Sequence, residues 1–313
     1  MKNFAIIGVG GYIAPRHLKA IRDTGNQLVA AVDSHDSVGL LDSYSFSTRY
    51  FTEVERFDRH LDKLRHGPED ERVQYVTICT PNYLHDAHCR LALRDGADVI
   101  CEKPLVINPW NLDALEVLES ETGGKINTIL QLRVHPALLA LRESLKDTNT
   151  EHDVMMTYIT SRGPWYKESW KGHMEKSGGV ATNIGIHFFD LLMWFFGPAG
   201  KVKVYHSTDT SMSGFLELEK ARVRWYLSID NNDLPENVKA AGKTTYRSIT
   251  VDGQEVEFSE GFGDLHTRVY EETLAGRGFG IKDARSSIEL THRIRSAEIS
   301  LPDEFVHPIL KKG

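Results

Sequence analysis

The sequence predicts an α/β protein in two parts: an N-terminal parallel sheet and a C-terminal α+β domain on a mainly antiparallel, open sheet. Three observations carry this. Short apolar runs alternate with helical patterns through the first part, strand-like runs follow one another through tight turns in the second, and 313 residues with 41% apolar content suffice for two cores.

Taken in order, "FAIIG" (4–8), "QLVAAVD" (27–33), "YVTICT" (75–80), "DVICE" (98–102) and "NTILQL" (127–132) read as strands with helix-like stretches between them, the βαβ signature of a parallel sheet. "TEVERFDRHLDKLRHG" puts Val54, Phe57, Leu61 and Leu64 on one helical face and breaks at Gly67 and Pro68, so it predicts a covering helix with no chemistry of its own. The pattern changes near residue 124, which sets the expected domains at 1–123 and 124–313. Beyond it, "DVMMTYITS" (153–161), "GFLELE" (214–219) and "ARVRWYLSID" (221–230) read as strands. "YRSITVDGQEVEF" reads as a hairpin turning at Asp252 and Gly253, a pair suited to type I′. Helical patterns at 184–196, 265–276 and 283–299 are expected to cover one face of this sheet and leave the other as a subunit interface.

Composition excludes several classes of function. A net charge of -7 argues against a nucleic-acid surface, so any anionic ligand must meet a local cluster of cations. The three cysteines, Cys79, Cys89 and Cys101, share no C-x-x-C spacing, which disfavours a disulfide framework and a thiolate metal site and fits a reducing cytoplasm. No stretch reads as a membrane span, and "MKNFAIIGVGG" reads as a first strand because its apolar run is too short for a signal sequence.

That first strand runs into "GVGGYIAPRHL". Gly8 and Gly10 open a G-x-G-x-x-G pattern in which Ile13 stands where the third small residue belongs, and Gly8, Gly11 and Ala14 fit better at three-residue spacing. Such a loop lets backbone approach a pyrophosphate at a helix N-terminus, and Pro15 suits the first helical turn. The strand before it, the helix after it and Asp33 at the next strand tip together predict a Rossmann dinucleotide site. Asp33 accepts both ribose hydroxyls and repels a 2′-phosphate, which points to NAD and not NADP.

Two further stretches attract chemistry. "DVICEKPL" ends an apparently buried strand in Glu102 and Lys103 before Pro104, and strand tips of parallel sheets border the ligand crevice, although a solvated pair would also account for two charges there. In "NIGIHFFDLLMWFFG" nearly every residue is apolar, yet Asn183, His187 and Asp190 fall at i, i+4 and i+7 on one helical face. A single buried histidine is ordinarily a satisfied core residue; three aligned polar side chains favour a site.

The glycine loop, "TPNYLH" (80–85), "CEKPL" (101–105) and "GGVATNIGIHFFD" (178–190) together resemble the Gfo/Idh/MocA family of NAD(P)-dependent sugar and inositol dehydrogenases. "GYIAPRH", "TYITSRGPWYKESWKG", "TNIGIHFFDLL" and "EGFGDLHTRVYEETLAGRGFGIKDAR" are more similar to one branch, the UDP-N-acetylglucosaminuronate 3-dehydrogenases of bacterial surface polysaccharide synthesis. The resemblance implies NAD-dependent oxidation of the C3 hydroxyl, with Lys103 and His187 catalytic. An ammonium beside the reacting hydroxyl steadies developing alkoxide. Asn183 stands where the wider family usually has Asp, so the base role rests on His187. Glu102 would orient the cofactor ribose or Lys103, and relatives often hold the Lys-Pro bond cis.

The implied cofactor set is Gly8, Gly10, Gly11, Tyr12, Ile13, Asp33, Thr80, Pro81, Asn82, His85, Glu102, Lys103, Gln131, Trp170 and Lys171, in which Lys171 replaces an Arg that closes over the cofactor in relatives. The implied substrate set is Lys103, Arg162, Asn183, His187 and His266, with Lys167 and Arg268 as further donors for pyrophosphate or carboxylate, and no metal is expected. Relatives form dimers and tetramers, and some reoxidise bound cofactor with 2-oxoglutarate. An NAD-dependent glycoside hydrolase, a dehydrogenase of another sugar or inositol, and a noncatalytic NAD sensor are the rival readings.

Overall fold

The computed structural model describes residues 1–36, 38–146, 150–256, 258 and 263–312. Its elements run β1 (Asn3–Ile7), α1 (Ala14–Asp23), β2 (Gln27–Val32), β3 (Arg49–Phe51), α2 (Val54–Arg65), β4 (Tyr75–Ile78), α3 (His85–Arg94), β5 (Asp98–Cys101), α4 (Trp110–Thr122), β6 (Ile126–Thr128) and α5 (Pro136–Leu145). They continue with β7 (His152–Thr160), α6 (Trp165–Glu168), α7 (Met174–Ser177), α8 (Ile186–Phe196), β8 (Ala199–Ser207), β9 (Ser211–Leu218), β10 (Ala221–Ser228), α9 (Glu236–Ala240), β11 (Thr245–Val251), β12 (Gln254–Glu255), α10 (Leu265–Leu274) and α11 (Ile281–Arg295). The chain divides into two units, Met1–Val134 with Phe262–Arg285, and His135–Gly261 with Ser286–Gly313.

This division differs from the boundary expected at residue 124. β6 pairs in parallel with β5, and α10 packs on α1 inside the first unit, because Leu265, Val269 and Tyr270 present an apolar face that joins its core. The expectation that 265–276 covers the second sheet is corrected accordingly. Glu257, at the end of the expected hairpin, and residues 260–262 of the last family-like segment lie outside the described residues.

Unit 1 is a six-stranded sheet in the order β3-β2-β1-β4-β5-β6, parallel throughout, which is the doubly wound dinucleotide-binding arrangement. Its strands are near-continuous apolar runs because helices cover both faces. The Phe4 ring stacks on Tyr75 at 5.0 Å and on Tyr270 at 5.9 Å. In α2, Phe57 and Leu61 are the buried members of the expected face. All three cysteines are free and buried.

Unit 2 is a six-stranded sheet in the order β12-β11-β7-β10-β9-β8, antiparallel except for the β7–β10 pair. The β11–β12 turn has φ of 52° at Asp252 and 80° at Gly253, the positive angles a type I′ turn needs. α8 lies on one face, where Phe189 meets Trp225 edge-on at 5.3 Å. The other face, expected to be open, carries the chain's own C-terminal segment: Phe305 stacks on Phe215 at 4.3 Å, and Ile309 and Leu310 pack with Ile159 and Tyr226.

The 23-residue run Met174–Phe196 is long and apolar enough to cross a membrane by length and composition, contrary to the sequence reading. However, 67% of its most apolar window is buried within the protein, and Gly178 and Gly179 interrupt it at φ of 79° and 71°, as suits a core segment.

Candidate active site

In unit 1 the polar groups gather at the C-terminal ends of the strands. Gly8 leaves β1 with φ 89°, and a Cβ there would lie 2.9 Å from the Cys79 carbonyl carbon and from Thr80 N, so only glycine lets the loop cross the end of β4. Gly11 O accepts the Ala14 N–H at 3.1 Å and Ala14 is fully buried, which is the Gly8–Gly11–Ala14 spacing at work. Ile13 packs its side chain against the core, and Tyr12 stands almost wholly exposed. Asp33 Oδ2 accepts the Gly10 N–H at 2.8 Å while Oδ1 accepts that of His35 at 3.0 Å, so the loop amide itself aims the carboxylate. These residues fit a dinucleotide: a cradle that a Cβ would fill, followed by a helix start, with an acceptor at the neighbouring strand tip.

Thr80 and Pro81 form the turn after β4, with Thr80 Oγ1 at 3.0 Å from His88 Nδ1, and Asn82 is buried where the next turn begins. His85 departs from its expected place beside the cofactor. It is fully buried, with Nδ1 2.7 Å from Pro104 O and Nε2 2.8 Å from Thr80 O, so the ring fastens the β4 turn to the loop at Pro104. Burial pushes this imidazole down, against the hydrogen bonds to the Pro104 and Thr80 carbonyls, which push it up. Gln131 opens the 3-10 turn Gln131–Val134 after β6.

The Lys103–Pro104 bond is cis. Glu102 does not reach outward as a ribose acceptor. Its Oε1 accepts from His17 Nε2 and His266 Nε2, each at 2.9 Å, and its Oε2 accepts the Lys103 backbone N–H at 3.2 Å. Burial raises the carboxyl, and the two imidazole hydrogen bonds more than reverse this, holding it well below the usual carboxylate range. His17 Nδ1 lies 2.8 Å from Tyr270 Oη, and that hydroxyl lies 2.8 Å from Thr77 Oγ1. The expectation that His266 meets substrate is corrected: the packing of α10 on α1 turns it inward to Glu102, where it is 3% exposed. Arg268, on the same helix, is exposed.

In unit 2 the helical run widens into a π-turn at Ala181–Gly185 before α8, a feature that recurs at functional sites. Gly185 permits it to lie on β10, since a Cβ there would come 2.6 Å from Leu227 Cδ1. Asn183, His187 and Asp190 do not share one opening: Asn183 and Asp190 are buried, and His187 is the one residue between Val180 and Leu192 that is partly exposed. The Asn183 amide donates to Tyr166 Oη at 2.6 Å. Lys171 Nζ sits 4.3 Å from the Trp170 ring centroid; burial lowers its pKa first and the Arg162 guanidinium next. Arg162 and Lys167 are exposed.

Sequence reasoning missed His17, Tyr270 and Tyr166. Only His17 left a signal, a histidine one helical turn after the glycine loop; the other two stand in stretches used only for their family likeness.

Residues 2–128 match the model of the Gfo/Idh/MocA oxidoreductase family's NAD-binding Rossmann fold, and residues 151–234 match that family's C-terminal alpha/beta domain. Inositol 2-dehydrogenase of Rhizobium meliloti is 27% identical over 195 residues, 62% of this chain and 54% of that protein. Across the first curated relatives the chain spans 54 to 63% of their length. Among solved structures, the WlbA (WbpB) dehydrogenase from Thermus thermophilus in complex with NAD and alpha-ketoglutarate is 53% identical with a TM-score of 0.95, covering 98% of this chain and 99% of that one. The same dehydrogenase in complex with NAD and UDP-GlcNAcA is 52% identical with a TM-score of 0.93, covering 97% of each chain.

Proposed function

The chain belongs to the Gfo/Idh/MocA family of NAD-binding oxidoreductases, and on that premise we propose that it oxidises the C3 hydroxyl of UDP-N-acetylglucosaminuronate to the 3-keto sugar. The observation that carries this reading is the 53% identity with the T. thermophilus dehydrogenase over 98% of the chain. The C3 hydrogen leaves as a hydride, which bound NAD accepts, and the hydroxyl proton leaves to a base as the C3–O bond becomes a carbonyl. His187 is assigned that base, since it is the one partly exposed residue between Val180 and Leu192. Lys103 is assigned to the developing alkoxide as a fixed cation. The Arg162 charge adds to burial in lowering the pKa of Lys171, a repulsion that a carboxylate or pyrophosphate would relieve.

We further infer that 2-oxoglutarate can take the hydride back, and that the keto sugar goes to an aminotransferase on the way to a diacetamido uronic acid of lipopolysaccharide O-antigen. A cytoplasmic homodimer or homotetramer fits the same family membership. The test is incubation of the purified protein with UDP-N-acetylglucosaminuronate, with and without NAD and 2-oxoglutarate, followed by mass spectrometry. Loss of two hydrogens from intact nucleotide sugar is the expected product. Cleavage to free UDP or sugar would replace this reading with the glycoside hydrolase.

A further inference from the structure

We propose that His17 and His266, seated by Tyr270, are positioning residues for Lys103: they fix the Glu102 carboxylate, and Glu102 fixes the backbone at which Lys103 leaves the sheet. The proposal rests on the assignment of Lys103 to the reacting hydroxyl. Four elements of unit 1 contribute to the network, Thr77 from β4, Glu102 from the end of β5, His17 from α1, and His266 with Tyr270 from α10. All five residues are buried.

Donor and acceptor chemistry orders the whole chain. A carboxylate only accepts, so both imidazoles carry their proton on Nε2. Burial keeps His17 neutral, so its Nδ1 accepts from the Tyr270 hydroxyl, and Tyr270 Oη accepts from Thr77. Every bond then has one direction, and the two carboxylate oxygens are filled by two ring N–H groups and the Lys103 amide. The three ligand atoms lie close enough to suggest a metal, yet the 2.9 Å contacts are hydrogen-bond lengths, shorter than the edge of about 3.3 Å that 2.0–2.1 Å bonds give a tetrahedral zinc.

What makes this a device for Lys103 and not only a core network is the third bond. A buried carboxylate held by three N–H donors tolerates little movement, because any lost donor leaves charge unpaired. That anchor lies in the residue before Lys103 and grips its amide. Displacements of about 1 Å at a catalytic group can cost on the order of a hundredfold in rate.

The test compares His266→Leu, His266→Gln and Lys103→Met in the full-length protein, measuring kcat and KM with UDP-N-acetylglucosaminuronate, NAD affinity by fluorescence titration, and Tm. His266→Leu should lower kcat at least about tenfold, with KM and NAD affinity within about threefold. His266→Gln, whose terminal amide again offers a donor toward Glu102, should recover most of that loss. Wild-type kcat in His266→Leu, or a Gln variant no better than Leu, overturns the proposal. Should the Leu variant fail to fold, Tyr270→Phe decides: it deletes only the hydroxyl on His17, and kcat equal to wild type overturns the proposal while a several-fold fall at unchanged KM supports it. Full turnover in Lys103→Met would instead remove the assignment on which the proposal rests; an inactive Lys103→Met beside a normal His266→Leu removes the positioning role alone.

Discussion

Replacing Gly8 by Ala separates two costs that the glycine loop avoids. The backbone there has φ 89°, where an L side chain is strained by about 1–2 kcal/mol. A Cβ would also stand 2.9 Å from two backbone atoms at the end of β4, neither of which can rotate away. Overpacking of that kind costs about 1–3 kcal/mol more. Gly25 is the control, with φ 73° and nothing within 4 Å of where a Cβ would stand, so Gly25→Ala carries only the first cost. At about 2–4 °C per kcal/mol for a unit of this size, Gly25→Ala should lower Tm by about 2–8 °C and Gly8→Ala by about twice as much or more. NAD titration by fluorescence should show weakening in Gly8→Ala alone, because the loop must back away from the strand it crosses. Equal melting of the two variants, or unchanged NAD affinity in Gly8→Ala, would refute the close-approach argument.

Further outcomes can be checked on the same protein. Asp33→Ser should erode the preference for NAD over NADP by about tenfold or more in fluorescence titrations, since the carboxylate aimed by Gly10 N is what repels a 2′-phosphate; an unchanged ratio would place selectivity elsewhere. His187→Asn should lose the limb of rate that rises with pH and about 10² to 10⁴ in rate, whereas Lys103→Met should lose rate and keep the limb; the reverse pattern would exchange their roles. His307 is held neutral, its Nε2 facing Thr157 Oγ1 at 3.0 Å and its Nδ1 accepting from Ile309 N, and burial followed by the Arg224 charge lowers it from 6.5 to about 4. Because the folded value is the lower one, this stabilisation is complete above about pH 6.5 and is lost as pH falls toward 4, at most about 3 kcal/mol. His307→Gln should flatten the fall in Tm across that window, and a fall as steep as wild type would exclude His307 as its source. UDP-N-acetylglucosamine, lacking the carboxylate, should be a poor substrate; comparable kcat/KM for the two sugars would remove the uronate assignment.

The strands whose burial forces an unbroken apolar run were legible in sequence, as β1, β2, β4 and β5 were, and so was the Asp252–Gly253 turn, where positive φ restricts residue choice. β3 escaped because Arg49–Phe51 is a three-residue edge strand with one buried side chain, too short to show a period. β8 escaped because "AGKVKVYHS" alternates weakly and is half exposed. At the site, residue types at chain-local spacing were readable, so Gly8, Asp33, Glu102 and Lys103 emerged. The partners of Glu102 were not, since His17 and His266 lie 85 and 164 residues from it in the chain and meet it only through the packing of α10 on α1. The same packing explains why His266, a polar residue in a family-like stretch, is an internal fastener here, whereas His85 is held by the carbonyls of Thr80 and Pro104 at the ends of neighbouring strands.

The π-turn at Ala181–Gly185 gives the helix one residue more than an α-helical path between the same ends would use. It therefore takes up an extra residue without turning the segment that carries His187. Removing one residue from it would leave a smooth α-helix with both flanking segments near their present facing, because the wider turn is what absorbs the extra residue. The widened backbone around Asn183, whose amide donates to Tyr166, is therefore what such a deletion would remove, while the helix carrying His187 stayed seated.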